Sequence, residues 1–242
     1  MNRPLKIALL GYGRMGRLIE RIVQDSGHSI CARFSKKDAF IQNPLLLQDF
    51  IQADVCIDFS HAECLLHHLQ LCIEYHKPLV IGTTGWEKES ALVESLIKSS
   101  SIGCIYSPNF SIGLALFNEI VGYSARKAAS LQEYDICGVE HHHNQKIDSP
   151  SGTAKALINT IQQSIPSRDP ITFSSIRCGY TPGTHTIHIE GPIDSITLTH
   201  TARNRDGFAL GAITEAQWIL DKKGFFTMQD LLQHIFPELI NA

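Results

Sequence analysis

The sequence predicts an α/β protein: a doubly wound parallel sheet, then a second, α+β domain with a mixed or antiparallel sheet. Three observations carry that expectation. Through about the first 110 residues, short apolar or β-branched runs alternate with helix-like segments, the rhythm of parallel strands joined by crossover helices. The first of these runs leads straight into a glycine-rich turn. Past Pro108 the rhythm changes to one long helical stretch and then strand-like runs with little helix between them.

Taken in order, strands are expected at 6–10, 29–34, 54–59, 79–82 and 103–107, with helices at 15–25, 62–75 and 88–99. The long helix should cover 112–129, and the later strands 131–140, 171–178, 183–190 and 195–201. Thr181-Pro182-Gly183 and Gly191-Pro192 supply turns among these strands, and one helix at 151–164 interrupts the series. Helical patterns at 208–221 and 227–236 close the chain. The expected division is a first domain at 1–108, a second at 109–207, and a C-terminal stretch at 208–242 packing back onto the first.

With 43% hydrophobic and 19% charged residues in 242, the chain can bury a substantial core. A formal charge of −3, from 21 basic and 24 acidic residues spread along the chain, offers no footprint for nucleic acid or an anionic membrane. A small-molecule partner is therefore expected. The apolar run Leu5 to Leu10 is too short for a signal-peptide core, and no stretch approaches the roughly 18 residues of a membrane span. Seven cysteines in apolar segments, with no C-x-x-C pair, read as core residues of a reducing compartment, which makes the expected location cytoplasmic.

Gly11-Tyr12-Gly13-Arg14-Met15-Gly16 forms a G-x-G-x-x-G between a strand and a helix, the setting the dinucleotide fingerprint requires. Gly11 would allow the tight turn, Gly13 the approach of a pyrophosphate, and Gly16 close packing of helix on strand, while first-turn amides favour the phosphate charge. An acidic residue at the end of the second strand would accept from the ribose hydroxyls of NAD; the chain instead reads Arg33-Phe34-Ser35-Lys36-Lys37. Ser35 and Lys36 thus join the candidate cofactor residues, and NADPH is favoured with NADH possible. Gly82-Thr83-Thr84-Gly85 and Ser107-Pro108-Asn109-Phe110 follow later strands, where small hydroxyl residues and exposed amides can meet the cofactor and, at the second, form a hinge.

The most informative segment runs from Glu140 through His141, His142, His143, Lys146, Asp148 and Pro150 to Ser151, Gly152, Thr153 and Ala154. Histidine exchanges protons near neutrality, lysine adds positive charge or a second proton, and a helix start exposes amides to an anion. That combination suits a carboxylate-bearing substrate that gains a proton. A metal site built on His141 and His143 is the weaker alternative, because no obvious further ligands accompany them, and no metal is expected. His61, His67, His68 and His76 are expected at the surface or in packing.

The glycine loop ending Arg14-Met15-Gly16, the Gly-Thr-Thr-Gly loop, the Pro-Asn-Phe-Ser-Ile-Gly hinge at 108–113 and the pattern Glu-x-His-His-x-x-Lys-x-Asp-x-Pro-Ser-Gly-Thr-Ala at 140–154 together resemble the dihydrodipicolinate reductase family along nearly the whole chain. The resemblance implies a Rossmann-type N-terminal domain, a C-terminal substrate and oligomerisation domain, and a homotetramer built on the latter's sheets. It also implies NAD(P)H-dependent reduction of 4-hydroxy-tetrahydrodipicolinate to tetrahydrodipicolinate in lysine and diaminopimelate biosynthesis. By position, His142 would be proton donor or acceptor and Lys146 a proton donor. His143, Ser151, Gly152, Thr153 and Arg205 would bind substrate. Gly11, Tyr12, Gly13, Arg14, Met15, Gly16, Ser35, Lys36, Gly82, Thr83, Thr84, Ser107, Pro108, Asn109 and Phe110 would bind the cofactor.

Two departures stand out: the glycine loop is one residue shorter than the family's frequent G-x-x-G-R-M-G, and Ser35-Lys36 replaces an acidic-then-basic pair. Another two-domain NAD(P)-dependent dehydrogenase, or a nucleotide-sensing protein without turnover, are the competing readings; the 140–154 segment argues against both.

Overall fold

The computed structural model describes residues 3–35, 44–131, 133–166 and 170–237, which fall into two compact units, Met1–Ile112 with Asp206–Ala242 and Gly113–Arg205. In the first unit β1 (Lys6–Leu10), α1 (Arg14–Asp25), β2 (Ser29–Phe34), α2 (Pro44–Ile51), β3 (Val55–Asp58), α3 (Ala62–Glu74) and β4 (Leu79–Ile81) follow one another. A short 3-10 turn (Glu87–Glu89), α4 (Ser90–Lys98) and β5 (Gly103–Tyr106) complete its first run. The second unit holds α5 (Ile112–Ala128), β6 (Asp135–His142), α6 (Gly152–Ser164), β7 (Phe173–Arg177), β8 (Gly183–Glu190) and β9 (Ser195–Ala202). The chain then returns to the first unit with α7 (Asp206–Trp218), β10 (Gly224–Thr227) and α8 (Met228–Ile235).

All six strands of the first sheet run parallel, in the order β10-β5-β4-β3-β1-β2. Alternate residues of β1 feed two cores. Ala8 and Leu10 join Phe34, Phe50, Leu65 and Ile81 on one face, while Ile7 and Leu9 join Ile19, Ala212, Ala216 and Leu231 on the other. Cover on both faces is why these strands read as unbroken apolar runs. Leu10 pairs with Asp58 and Asp58 with Ile81, so the loops after β1, β3 and β4 emerge side by side at the carboxyl edge, where ligands of doubly wound sheets bind. Two elements depart from expectation: α2, and β10, which begins just before the expected final helix and lies parallel to β5.

The second sheet is mixed, in the order β7-β6-β8-β9, with β6 parallel to β7 and antiparallel to β8. Phe117 and Val121 of α5 and Leu157 and Ile161 of α6 pack on Ile136, Ile187 and Ile189. On β6 the residues turned inward are Ile136, Gly138, Glu140 and His142, and on β8 Gly183, His185, Ile187 and Ile189. One sheet face therefore passes from aliphatic at one end to ionisable at the other.

Candidate active site

In the first unit, the fingerprint glycines behave as the chemistry of a dinucleotide requires. Gly11 holds φ +99°, and a Cβ there would sit 2.4 Å from the Phe59 carbonyl oxygen. A Cβ on Gly16 would lie 2.5 Å from the Gly11 carbonyl oxygen, whereas beside Gly13, at the N-cap of α1, there is open space. Room above Gly13 and the first-turn amides of α1 fit a pyrophosphate. Arg14 is exposed next to it and Met15 is half-buried.

At the end of β2, Arg33 donates through Nε to Glu20 Oε1 at 2.9 Å, and its guanidinium lies over the Tyr12 ring, whose hydroxyl donates to the same carboxylate. Arg33 thus carries its own counter-ion. Lys36 and Lys37 lie outside the described residues.

The β4 loop places its two threonines differently. Thr84 is exposed, but Thr83 is buried and its hydroxyl donates to Asp58 Oδ1 at 2.7 Å. The same oxygen accepts from the Ser60 amide at 2.8 Å, and Asp58 Oδ2 faces His68 Nδ1 at 2.7 Å. The Thr83 hydroxyl therefore joins the β3 and β4 loops, and His68, expected at the surface or in packing, is buried against the Asp58 carboxyl group.

Ser107 is fully buried, and its hydroxyl donates to Glu215 Oε1 of α7 at 2.5 Å. Burial pushes the Glu215 carboxyl up to about 8, with the Ser107 bond acting in the opposite direction. Phe110 is also buried, packed on Phe59 at 5.0 Å between ring centroids, and Asn109 Oδ1 accepts from the Ser111 amide. Pro108 is exposed. Ser107 and Phe110 thus support the loop from beneath.

In the second unit, Glu140 is wholly buried. Its Oε1 accepts from the Ser151 amide (3.0 Å), Ser175 Oγ (2.6 Å) and Arg177 Nη2 (2.8 Å). Burial opposes ionisation, but these donors outweigh it and hold the carboxyl at about 2. Oε2 faces His142 Nδ1 at 3.2 Å and His185 Nε2 at 3.6 Å. Burial lowers both histidines, His185 to about 4, so both rings are neutral at pH 7. The three side chains bring ligating atoms within 4.8 Å of one another. Arg177 already supplies the cationic charge a metal ion would bring, so the cluster reads as a proton-handling site.

His142 ends β6, and His143 lies beyond the strand with its amide on the Thr181 carbonyl, so His141 and His143 do not form the shared strand face of the weaker metal alternative.

Ser151 is the N-cap of α6: its hydroxyl accepts from the Ala154 amide at 3.1 Å and lies 3.3 Å from His185 Nε2. Its amide serves Glu140, so Ser151 braces the start of α6. Pro150 precedes the cap and is not part of the helix. Gly152, exposed with open space beside it, and Thr153 provide the first two helix positions. Lys146 pairs with Asp148 at 2.7 Å, and that ammonium, with help from the Gly152 amide, holds the Asp148 carboxyl below its usual range. Arg205 is exposed, immediately before α7.

Sequence reasoning quoted Glu140 within a motif but gave it no role, and it passed over Ser175, Arg177, Gly183 and His185. The signal was the two-residue period of β6, which turns Glu140 and His142 to one side.

A parallel sheet that opens on a G-x-G-x-x-G turn, together with a separate unit carrying a buried carboxylate–histidine cluster beside a helix start, is the build of a two-domain nicotinamide-dependent oxidoreductase. Residues 5–110 match the family model described as dihydrodipicolinate reductase, N-terminus, and residues 113–232 the one described as dihydrodipicolinate reductase, C-terminus. The 4-hydroxy-tetrahydrodipicolinate reductase of Christiangramia forsetii is 40% identical, over 96% of this chain and 99% of that protein. The enzyme of the same name from Buchnera aphidicola subsp. Acyrthosiphon pisum (strain 5A) is 35% identical over 96% and 99%. A solved dipicolinate-bound dihydrodipicolinate reductase from Paenisporosarcina sp. TG-14 has the same fold, with a TM-score of 0.80, 24% identity, and cover of 93% of this chain and 98% of that one. The chain belongs to the dihydrodipicolinate reductase family, whose members are NAD(P)H-dependent oxidoreductases of lysine and diaminopimelate biosynthesis.

Proposed function

We propose that this chain reduces 4-hydroxy-tetrahydrodipicolinate to tetrahydrodipicolinate, with uptake of a proton and loss of water. The observation that carries the reading is the placement of His142 Nδ1 3.2 Å from Glu140 Oε2, in the same unit as Lys146 and the open start of α6. The name of the relatives and the dipicolinate held by a structural neighbour support a cyclic dicarboxylate as substrate.

Bound reduced nicotinamide supplies the hydride. Around the substrate, the Gly152 and Thr153 amides receive one carboxylate at the positive end of α6, with His143 and Arg205 as further contacts. His142 exchanges the proton that accompanies reduction, and Lys146 donates a second and offsets charge developing on the ring. Anchoring the ring by its carboxylates turns binding into alignment of the reacting atoms.

The cofactor is NADPH in preference to NADH. Support comes from the sequence Phe34-Ser35-Lys36 at the end of β2, with Glu20 of α1 already engaged by Arg33 and Tyr12. Arg33, Ser35 and Lys36 are the residues assigned to the 2′-phosphate. Gly11 to Gly16, Gly82 to Thr84 and Ser107 to Phe110 shape the rest of the cofactor site, with 1–108 as its domain and 109–207 as the substrate and oligomerisation domain. The working form is a cytoplasmic homotetramer joined through the second sheet, consistent with the exposed strand β9 at its edge. No described helix is long and apolar enough to cross a membrane.

Coupled enzymatic synthesis of the unstable substrate, followed by the rate of NADPH and NADH oxidation separately, tests the proposal. Substrate-dependent oxidation with NADPH faster than NADH is expected; no oxidation with either would overturn it.

A further inference from the structure

We propose that Glu140 is a positioning residue that fixes which ring nitrogen of His142 carries the proton, leaving Nε2 as the atom that exchanges it with substrate. The inference rests on the reading of His142 as the proton-handling group, and it deepens that reading.

Three donors on Oε1 of Glu140, from two different elements, restrain the carboxylate: the Ser151 amide at the start of α6, and Ser175 Oγ and Arg177 Nη2 of β7, with Glu140 itself on β6. That fixes where Oε2 points. Among the described residues Oε2 has no conventional hydrogen bond, and the polar atoms facing it are His142 Nδ1 and His185 Nε2.

Of the two, His142 Nδ1 is the nearer, at 3.2 Å against 3.6 Å, and His185 Nε2 has a second neighbour, Ser151 Oγ at 3.3 Å, that can donate to it or accept from it. Oε2 is therefore assigned to His142 Nδ1–H, a contact that tightening in the substrate complex would bring into line. A neutral imidazole protonated at Nδ1 carries its lone pair at Nε2.

The nearest atom to a Cβ built on Gly183 is Nε2 of His142, so the absence of a side chain there leaves room for that edge of the ring. Through the Ser151 amide the same carboxylate also anchors the start of α6, so one buried group sets both the proton-exchanging atom and the place of the proposed anion cradle.

The test is the tautomer of His142, read by 15N-histidine NMR of the unliganded protein at a pH where the ring is neutral, with assignment from a His142→Asn spectrum. Protonated Nδ1 with bare Nε2 is expected. In Glu140→Gln the amide oxygen keeps the three donors and the amide NH2 faces Nδ1, so the proton should move to Nε2. In that variant kcat should fall at least 100-fold while NADPH affinity stays within twofold. Glu140→Asp should recover the wild-type tautomer and part of the rate. A wild-type ring protonated at Nε2, a tautomer unchanged in a folded Glu140→Gln protein, or a full rate after the tautomer inverts would each overturn the proposal. Should Glu140→Gln fail to fold, the wild-type spectrum still decides. Because the tautomer is read without turnover, failure to reduce the proposed substrate would strike the functional reading alone.

Discussion

Gly183 stands against His142 so closely that a Cβ on the glycine would lie 2.9 Å from Nε2 and 3.2 Å from Cδ2 of the ring. Such contacts force something to move, and the other nitrogen of His142 already lies 3.2 Å from Glu140 Oε2. Gly183→Ala should therefore displace the imidazole while the aliphatic half of the sheet stays packed. The expected outcome is a loss of about 100-fold in kcat, the scale of a 1 Å misplacement, with melting temperature and NADPH affinity nearly unchanged. Steady-state kinetics beside thermal denaturation checks it.

Lys146→Ala should lower kcat by about 10²- to 10⁴-fold, the range typical of a positioned proton donor, without weakening cofactor binding, since Lys146 belongs to the second unit and the fingerprint to the first. Fluorescence titration with NADPH supplies the control. An unchanged kcat would remove Lys146 from the chemistry.

Thr83→Val removes one of the two donors on Asp58 Oδ1 and weakens the tie between the β3 and β4 loops. Loss of a hydrogen bond costs about 0.5–1.5 kcal/mol, so a drop in melting temperature of about 3 °C is expected. With it should come a several-fold rise in KM for NADPH and a kcat close to wild type. A fall in kcat with KM unchanged would place Thr83 elsewhere in the mechanism.

Glu215 gives stability a pH dependence of known sign. Its native carboxyl titrates near 8, well above the ordinary value of 4.5, so the folded protein holds a proton that the unfolded chain releases. The contribution is full below about pH 4.5 and is lost as pH rises through 8, at up to about 1.4 kcal/mol per pH unit between these limits. Glu215→Gln should flatten the decline in denaturation midpoint over that window, and equal slopes in the two proteins would refute the assignment.

Much of this was legible beforehand, and what was not has physical causes. The bounds of β1, β2 and β8 follow from apolar runs closed by turn residues. β10 is four residues long and depends on pairing with β5 more than a hundred positions away, which no local period reports. Thr83, Ser107 and Ser151 looked like ligand contacts because small hydroxyl residues in loops after strands or at a helix start suit that role. Folding brought each a buried partner from elsewhere in the chain, Asp58, Glu215 and Glu140, and spent its hydroxyl or amide there. His142, by contrast, ended up buried against a carboxylate, because neighbours of like parity on β6 face the same way.

That parity has a consequence for how the protein tolerates change. Ile136 and Glu140 project from the same side of β6, so deleting one residue between them would turn the acid–base groups outward and bring Val139 and His141 in, with composition almost untouched. Substitutions along this strand can be graded, whereas insertions and deletions are all-or-none. Length variation among working versions of the chain should therefore gather in connecting segments away from these groups, such as 191–194, and spare β6 itself.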